Sequence, residues 1–186
     1  MRMLFIRHGL TAGNLQKRYI GRTDQPLCQE GIDRLKSKVY PPCQILVCSP
    51  MERCLQTAKI IFPQQEIITD NDLRECDFGR FEGKNYTELS GDPDYQRWID
   101  SGGNLPFPGG ESPQSFKERC VRAFGLIAEK YRTSGSVCFV VHGGTIMSIL
   151  EKYAVPAGSY YDWHCENGCG YLCQWNGSEL HIMERI

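Results

Sequence analysis

The sequence predicts an α/β fold, a three-layer sandwich with a mostly parallel central sheet and helices on both faces. Three observations carry this. Continuous apolar runs at residues 3–6, Ile45–Cys48 and 137–141 read as strands buried on both faces. Amphipathic helical stretches lie between them. Each run also stops at a polar cluster with a turn residue, namely Arg7-His8-Gly9, Ser49-Pro50 and His142-Gly143-Gly144. Sheets of this class bind ligands beyond the C-terminal ends of their strands, so all three clusters are expected to face one crevice.

The first strand, at residues 3–6, hands directly to Arg7 and His8. A helix is predicted over 29–39, with Ile32, Leu35 and Val39 at helical spacing. The second strand, Ile45–Cys48, leads into a helix over 51–61 with Leu55, Ala58 and Ile61 on one side. A short strand is expected at 66–69. The longest predicted helix covers 112–131, where Phe116, Cys120, Ala123, Phe124, Ile127 and Tyr131 form a stripe and Ser112 and Ser115 are candidate caps. The strand at 137–141 is followed by a helix over 144–153. Gly170–Trp175 and Leu180–Arg185, joined through Asn176-Gly177, read as a hairpin.

A length of 186 residues favours a single domain, 1–186. Within it, residues 85–110 read as a substrate-shaping insertion, rich in Gly, Pro and aromatics, with one helix around Pro93–Asp100. The hydrophobic fraction of 41% is ordinary globular usage. A net charge of −1 argues against nucleic acid as a partner. No apolar run approaches the roughly 20 residues of a membrane span, and the N-terminus reads as a strand rather than a signal peptide. The expected location is the cytoplasm, with no membrane partner. Ten cysteines without a C-x-x-C pair are expected to be reduced packing residues. The final strand, around 180–186, offers an edge for a homodimer, but the sequence does not fix the oligomeric state.

Chemistry concentrates at the strand ends. Arg7 and Arg53 supply guanidinium forks suited to phosphate oxygens. His8 is a nucleophile that is neutral near physiological pH. His142 precedes Gly143-Gly144, which allow close backbone approach at a helix start, where amides attract anions. Glu75, Asp77 and Glu82 are candidate acids for a leaving oxygen, and spacing does not choose among them. Arg22 and Arg80 are expected to be solvated.

Arg7-His8-Gly9-x-Thr11-x-x-Asn14 resembles the R-H-G-x-T-x-x-N motif of the histidine phosphatase superfamily, also called phosphoglycerate mutase-like. Four further ordered segments share the resemblance: Ser49-Pro50-x-x-Arg53-x-x-x-Thr57-Ala58, Leu73-Arg74-Glu75-x-x-x-Gly79-x-x-Glu82-Gly83, Pro108-Gly109-Gly110-Glu111-Ser112 and Val141-His142-Gly143-Gly144. The resemblance implies that His8 takes the phosphoryl group and that Arg7, Arg53 and His142 bind its oxygens. Glu75 would then protonate the leaving oxygen and later activate water. Asn14, Thr11, Gly21 and Gly143 are the implied substrate-binding positions. It implies no metal and no cofactor, and a small-molecule phosphate ester as partner.

Residues 91–100 with 105–111 look like those of the alpha-ribazole phosphatases of cobalamin assembly, whose substrate carries a flat base that aromatics can stack on. The chain is also shorter than typical mutases. The alternatives kept are a broad-specificity phosphatase or phosphoglycerate mutase, a fold-retaining binding protein, and a zinc or redox module built on His164, Cys165, Cys169 and Cys173. The spacing of that last set is not a usual zinc pattern, so packed thiols are expected there.

Overall fold

The computed structural model describes residues 1–186. The elements run β1 (Arg2–Arg7), α1 (Ala12–Leu15), α2 (Gln29–Lys36), β2 (Ile45–Cys48), α3 (Glu52–Ile61), β3 (Ile67–Thr69), α4 (Pro93–Asp100), α5 (Pro113–Lys130), β4 (Ser136–Val141), α6 (Gly143–Tyr153), β5 (Ala154–Val155), β6 (Gly170–Trp175) and β7 (Leu180–Arg185). One seven-stranded sheet has the order β3-β2-β4-β1-β6-β7-β5. The β1, β2, β3 and β4 strands are mutually parallel, β6 runs antiparallel to β1 and β7, and β5 is parallel to β7.

The alternation of side chains along each strand splits the core into two layers. Met3, Phe5, Val137, Phe139 and Val141 face α5 and α6, meeting Phe124, Ile127, Ile146 and Ile149. Leu4, Ile6, Leu46, Cys138 and Val140 face the other way, onto Cys54 and Ala58 of α3. This is the expected three-layer arrangement. A third cluster joins Phe81, Leu89 and Phe107 to Phe116 and Cys120 of α5, with Tyr19, Phe78, Tyr95 and Trp98 packed against it. Through it the 85–110 segment is held to the body.

Several boundaries differ from the sequence expectation. The α2 helix ends at Lys36, so Val39 lies outside it and is 97% exposed. Pro41-Pro42 follows, and prolines that close cannot extend a helix. At the start of α5, Ser112 is the cap: its hydroxyl accepts from the Ser115 backbone N–H, and Pro113 opens the helix. Ser115 is therefore inside the helix. The α6 helix starts at Gly143, one residue earlier than expected. On the outer side of the final strand, β5 pairs Leu180 and His181 only. No helix is long and apolar enough to cross a membrane.

Candidate active site

Register places the two histidines together. Arg7 pairs with Val141, and the His8 backbone N–H donates to the Val141 carbonyl at 2.9 Å, one rung beyond the strand. His8 and His142, which follow these paired residues, have ring centroids 5.2 Å apart. The Nδ1 of His8 lies 2.7 Å from the Gly9 carbonyl oxygen. A carbonyl only accepts, so Nδ1 carries the proton and Nε2 keeps its lone pair. Burial, then the charges of Arg53 and Arg7, hold the His8 pKa well below its ordinary 6.5, against the pull of the Gly9 contact. His142 is lowered in the same way by burial, Arg53 and His8. Its Nε2 lies 2.8 Å from the Ser49 hydroxyl and 3.6 Å from the Cys54 thiol, so β2 and α3 fix this ring.

Arg53, in the first turn of α3, is fully buried. Its two terminal nitrogens donate to the carbonyls of Thr23 and Gly21, both at 2.9 Å, and its Nε has no partner. Arg7 donates from Nη1 to the Cys165 carbonyl at 2.7 Å, and its buried Nε is also unpartnered. A Cβ on Gly143 would come within 3.3 Å of that Nε, so Gly143 keeps the space beside it open. Two orphaned guanidinium donors around one histidine pair suit an anion.

Glu75 follows a 3-10 turn at Asn71–Leu73. Its carboxylate accepts from the Cys76 N–H at 3.0 Å and the Gly144 N–H at 3.2 Å. A Cβ at Gly144 would sit 2.4 Å from Glu75 Oε1 and 2.9 Å from the Phe116 ring, so a side chain there would push the carboxyl out of place. Burial raises the Glu75 pKa above 4.5, outweighing those two hydrogen bonds and the nearby arginines. Each of its two rivals has one oxygen engaged by backbone N–H groups, and Glu82 Oε2 is buried without a partner. Asp77 accepts from Gly79 N–H at 2.8 Å, and Glu82 accepts from the N–H groups of Gly21 and Thr23 at 2.8 and 2.9 Å. Glu82 thus holds the loop whose carbonyls hold Arg53.

Thr11 and Asn14 form a reciprocal cap at the start of α1. Thr11 is fully buried and its side chain serves this loop rather than the cleft. The Asn14 Oδ1 accepts from Thr11 N–H, Thr11 Oγ1 and the Asn167 amide at 3.1, 3.1 and 3.2 Å. That leaves its own NH₂ as the free end. Gly21 lies against Cys76, whose carbonyl oxygen would be 1.7 Å from a Cβ.

Sequence reasoning missed four supports: Ser49, Thr57, Asn167 and Arg119. Ser49 and Thr57 stand within the motif at residues 49–58 but carry no assigned role there. The placement of Thr57 four residues after Arg53 was the available signal, since a helical threonine bonds back to the carbonyl one turn earlier. Asn167 offered none, because it reaches the His8 and Gly9 carbonyls across the sheet at 3.0 and 3.4 Å.

A cleft of about 500 Å³ opens beside this centre, with Arg7, Glu75, Gly143 and Gly144 in its wall. Tyr19, Phe78, Trp98, Phe107 and Tyr160 line the rest. Lys117 sits 4.4 Å over the Tyr160 ring and pairs with Glu151 at 2.6 Å. Arg80 pairs with Asp92 and Asp94 at the surface, and Arg22 faces Asp77 at 3.4 Å. The His164–Cys173 set does not converge: Cys173 is in the core, Cys169 lies 2.9 Å from Lys38 Nζ, and no group of three metal-holding side chains gathers.

A buried histidine pair beyond β1 and β4, two arginines each with an unpartnered Nε, and a desolvated carboxyl thus share one site. The model of the histidine phosphatase superfamily (branch 1) matches residues 3–185, and the chain belongs to that family. It is 25% identical to the adenosylcobalamin/alpha-ribazole phosphatase of Salmonella typhimurium, over 91% of this chain and 88% of that one. It is 30% identical to phosphoglycerate mutase-like protein 4 of Arabidopsis thaliana, over 81% and 70%. In fold it resembles a putative alpha-ribazole-5'-P phosphatase from Escherichia coli (TM-score 0.88, 22% identity, 98% and 94% covered). It also resembles a phosphoglycerate mutase from Thermus thermophilus (TM-score 0.78, 25% identity, 100% and 98% covered).

Proposed function

We propose that this phosphatase hydrolyses alpha-ribazole 5'-phosphate through a phosphohistidine on His8. The observation that carries the substrate is the aromatic-walled cleft, which begins at Arg7 and Glu75 and ends among Tyr19, Trp98 and Phe107. A flat base fits between such rings, and a pocket of this size suits one nucleoside. The relatives named for alpha-ribazole phosphate support the same reading.

His8 Nε2 attacks phosphorus in line with the leaving oxygen. The P–O bond breaks as the P–N bond forms, and Glu75 gives its proton to the departing alkoxide. Arg7, Arg53 and His142 hold the transferring oxygens, where charge builds up. Asn14 offers its free NH₂ to the same group, and the backbone of Gly143 lies alongside. Water then attacks the phosphohistidine, Glu75 takes its proton, and phosphate leaves as the P–N bond breaks.

The test is phosphate release from alpha-ribazole 5'-phosphate, 3-phosphoglycerate and a small generic ester, with His8→Ala as control. The proposal expects the first to have the highest kcat/KM and the variant to lose activity on all three. Mutase turnover exceeding hydrolysis would overturn the substrate, and undiminished activity in His8→Ala would overturn the mechanism.

A further inference from the structure

We infer that Arg119 is a positioning residue for Glu75, setting the acid's reach to the leaving oxygen through the backbone. This rests on the reading of Glu75 as the acid. Arg119 lies on α5, whose neighbouring residues Phe116, Cys120 and Phe124 are buried, so its stem starts from a fixed frame. A guanidinium has five N–H donors, and here every one is used. Nε and Nη2 donate to the two oxygens of Glu111 at 2.7 and 2.8 Å. Nη1 donates to the carbonyls of Asp72 and Arg74 at 2.8 and 2.7 Å. The remaining Nη2 proton goes to the carbonyl of Glu75 itself at 3.0 Å.

Three carbonyls within four residues thus converge on one cation, and the last belongs to the acid. None of these bonds touches the Glu75 carboxylate. That end is held separately, by the N–H groups of Cys76 and Gly144. Arg119 therefore fixes where the side chain starts, and the two amides fix where it points. The Arg119 and Glu111 side chains are only 17% and 19% exposed, so water competes weakly for these bonds. Lysine, with three donors and no planar fork, cannot reproduce the set. This also gives Glu111 a role, namely holding the arginine that holds the acid.

The consequence is selective. Protonation matters when the leaving group is a basic alkoxide and little when it is an activated phenolate. The experiment measures single-turnover leaving-group release, which precedes phosphoenzyme hydrolysis, for an alkyl phosphate and for p-nitrophenyl phosphate. Arg119→Lys, Glu111→Gln and Glu75→Gln are compared with the parent. Arg119→Lys is expected to slow the alkyl ester by about 10- to 100-fold and p-nitrophenyl phosphate by less than about threefold, with the half-saturating enzyme concentration nearly unchanged. Glu111→Gln is expected to show the same bias, smaller.

Equal losses on both esters in Arg119→Lys, beside a selective loss in Glu75→Gln, would overturn the positioning role and leave Glu75 as the acid. Equal losses in Glu75→Gln itself would remove Glu75 as the acid, and this inference with it. Should Arg119→Lys fail to fold by circular dichroism, Glu111→Gln keeps the arginine and carries the same comparison, with equal losses again overturning the role.

Discussion

The backbone N–H of Gly9 donates to the Thr57 hydroxyl at 2.9 Å, and that hydroxyl donates onward to the Arg53 carbonyl at 2.7 Å. One buried side chain therefore ties the loop carrying His8 to the helix carrying Arg53. Thr57→Val keeps the volume but strands the Gly9 N–H, which costs about 1–3 kcal/mol. The expected result is a lower denaturant midpoint and a lower kcat together. Thr57→Ser should restore both, and a fully active, fully stable valine variant would show that the tie is idle.

The pH profile follows from two opposed shifts. In the proposed mechanism His8 attacks when neutral, and its pKa lies below 6.5, so the acid limb of activity is expected below pH 6.5. Glu75, as the proposed acid, donates when protonated, and its pKa lies above 4.5, so the alkaline limb for alkyl esters is expected above pH 4.5. Glu75→Gln should lose about 10²- to 10⁴-fold on an alkyl ester and flatten the alkaline limb only. Rate against pH for both proteins checks this.

Stability carries its own pH signature. His8 and His142 are neutral in the fold, whereas the unfolded chain takes up protons below 6.5. The unfolded state then binds more protons, so stability is lost as the pH falls from 6.5. Glu75 has the opposite sign, since the fold keeps its proton above 4.5 and that contribution fades as pH rises. His142→Gln is expected to flatten the loss between pH 6.5 and 5, read from urea midpoints.

Trp98→Ala tests the cleft. Trp98 stacks on Tyr95 at 6.1 Å and 18° and meets Phe107 at 5.3 Å, so its loss opens the wall of the pocket. KM for alpha-ribazole 5'-phosphate should rise about tenfold while glycerol phosphate is unaffected. A parallel rise for both esters would mean that Trp98 only supports the segment.

Much of this was legible because strand ends carry their own signals. Continuous apolar runs marked β1, β2 and β4, and the charged residues after them had nowhere to go but the crevice. The Asn176 turn was equally plain: its Oδ1 accepts from the N–H groups of Ser178 and Glu179, at 2.9 and 2.8 Å. The rest depends on contacts that no local pattern announces. Arg119 reaches carbonyls more than 40 residues away, and Asn167 bonds to His8 across a gap of 159. The antiparallel docking of β6 beside β1 was unforeseen for the same reason, since a hairpin's turn does not say which edge it joins. Residue type suggested Glu75, Asp77 and Glu82 alike, the resemblance pointed to Glu75, and the fold gives Asp77 to the Gly79 N–H and Glu82 to the distant loop at residues 21–23.

The pairing of β1 with β4, in which Arg7 stands opposite Val141, works as a ruler for the reacting groups. It measures by counting residues, not by their identity. Apolar exchanges along Met3–Ile6 would alter packing yet leave the count intact. Deleting one residue from either strand would turn the following histidine to the opposite face of the sheet, away from its partner. Evolutionary drift in this chain is therefore open to spelling changes in the two central strands and closed to frame changes. A change of length would disturb that register less in loops such as the one around Gly102–Gly103, where the chain turns through positive φ at the rim of the cleft.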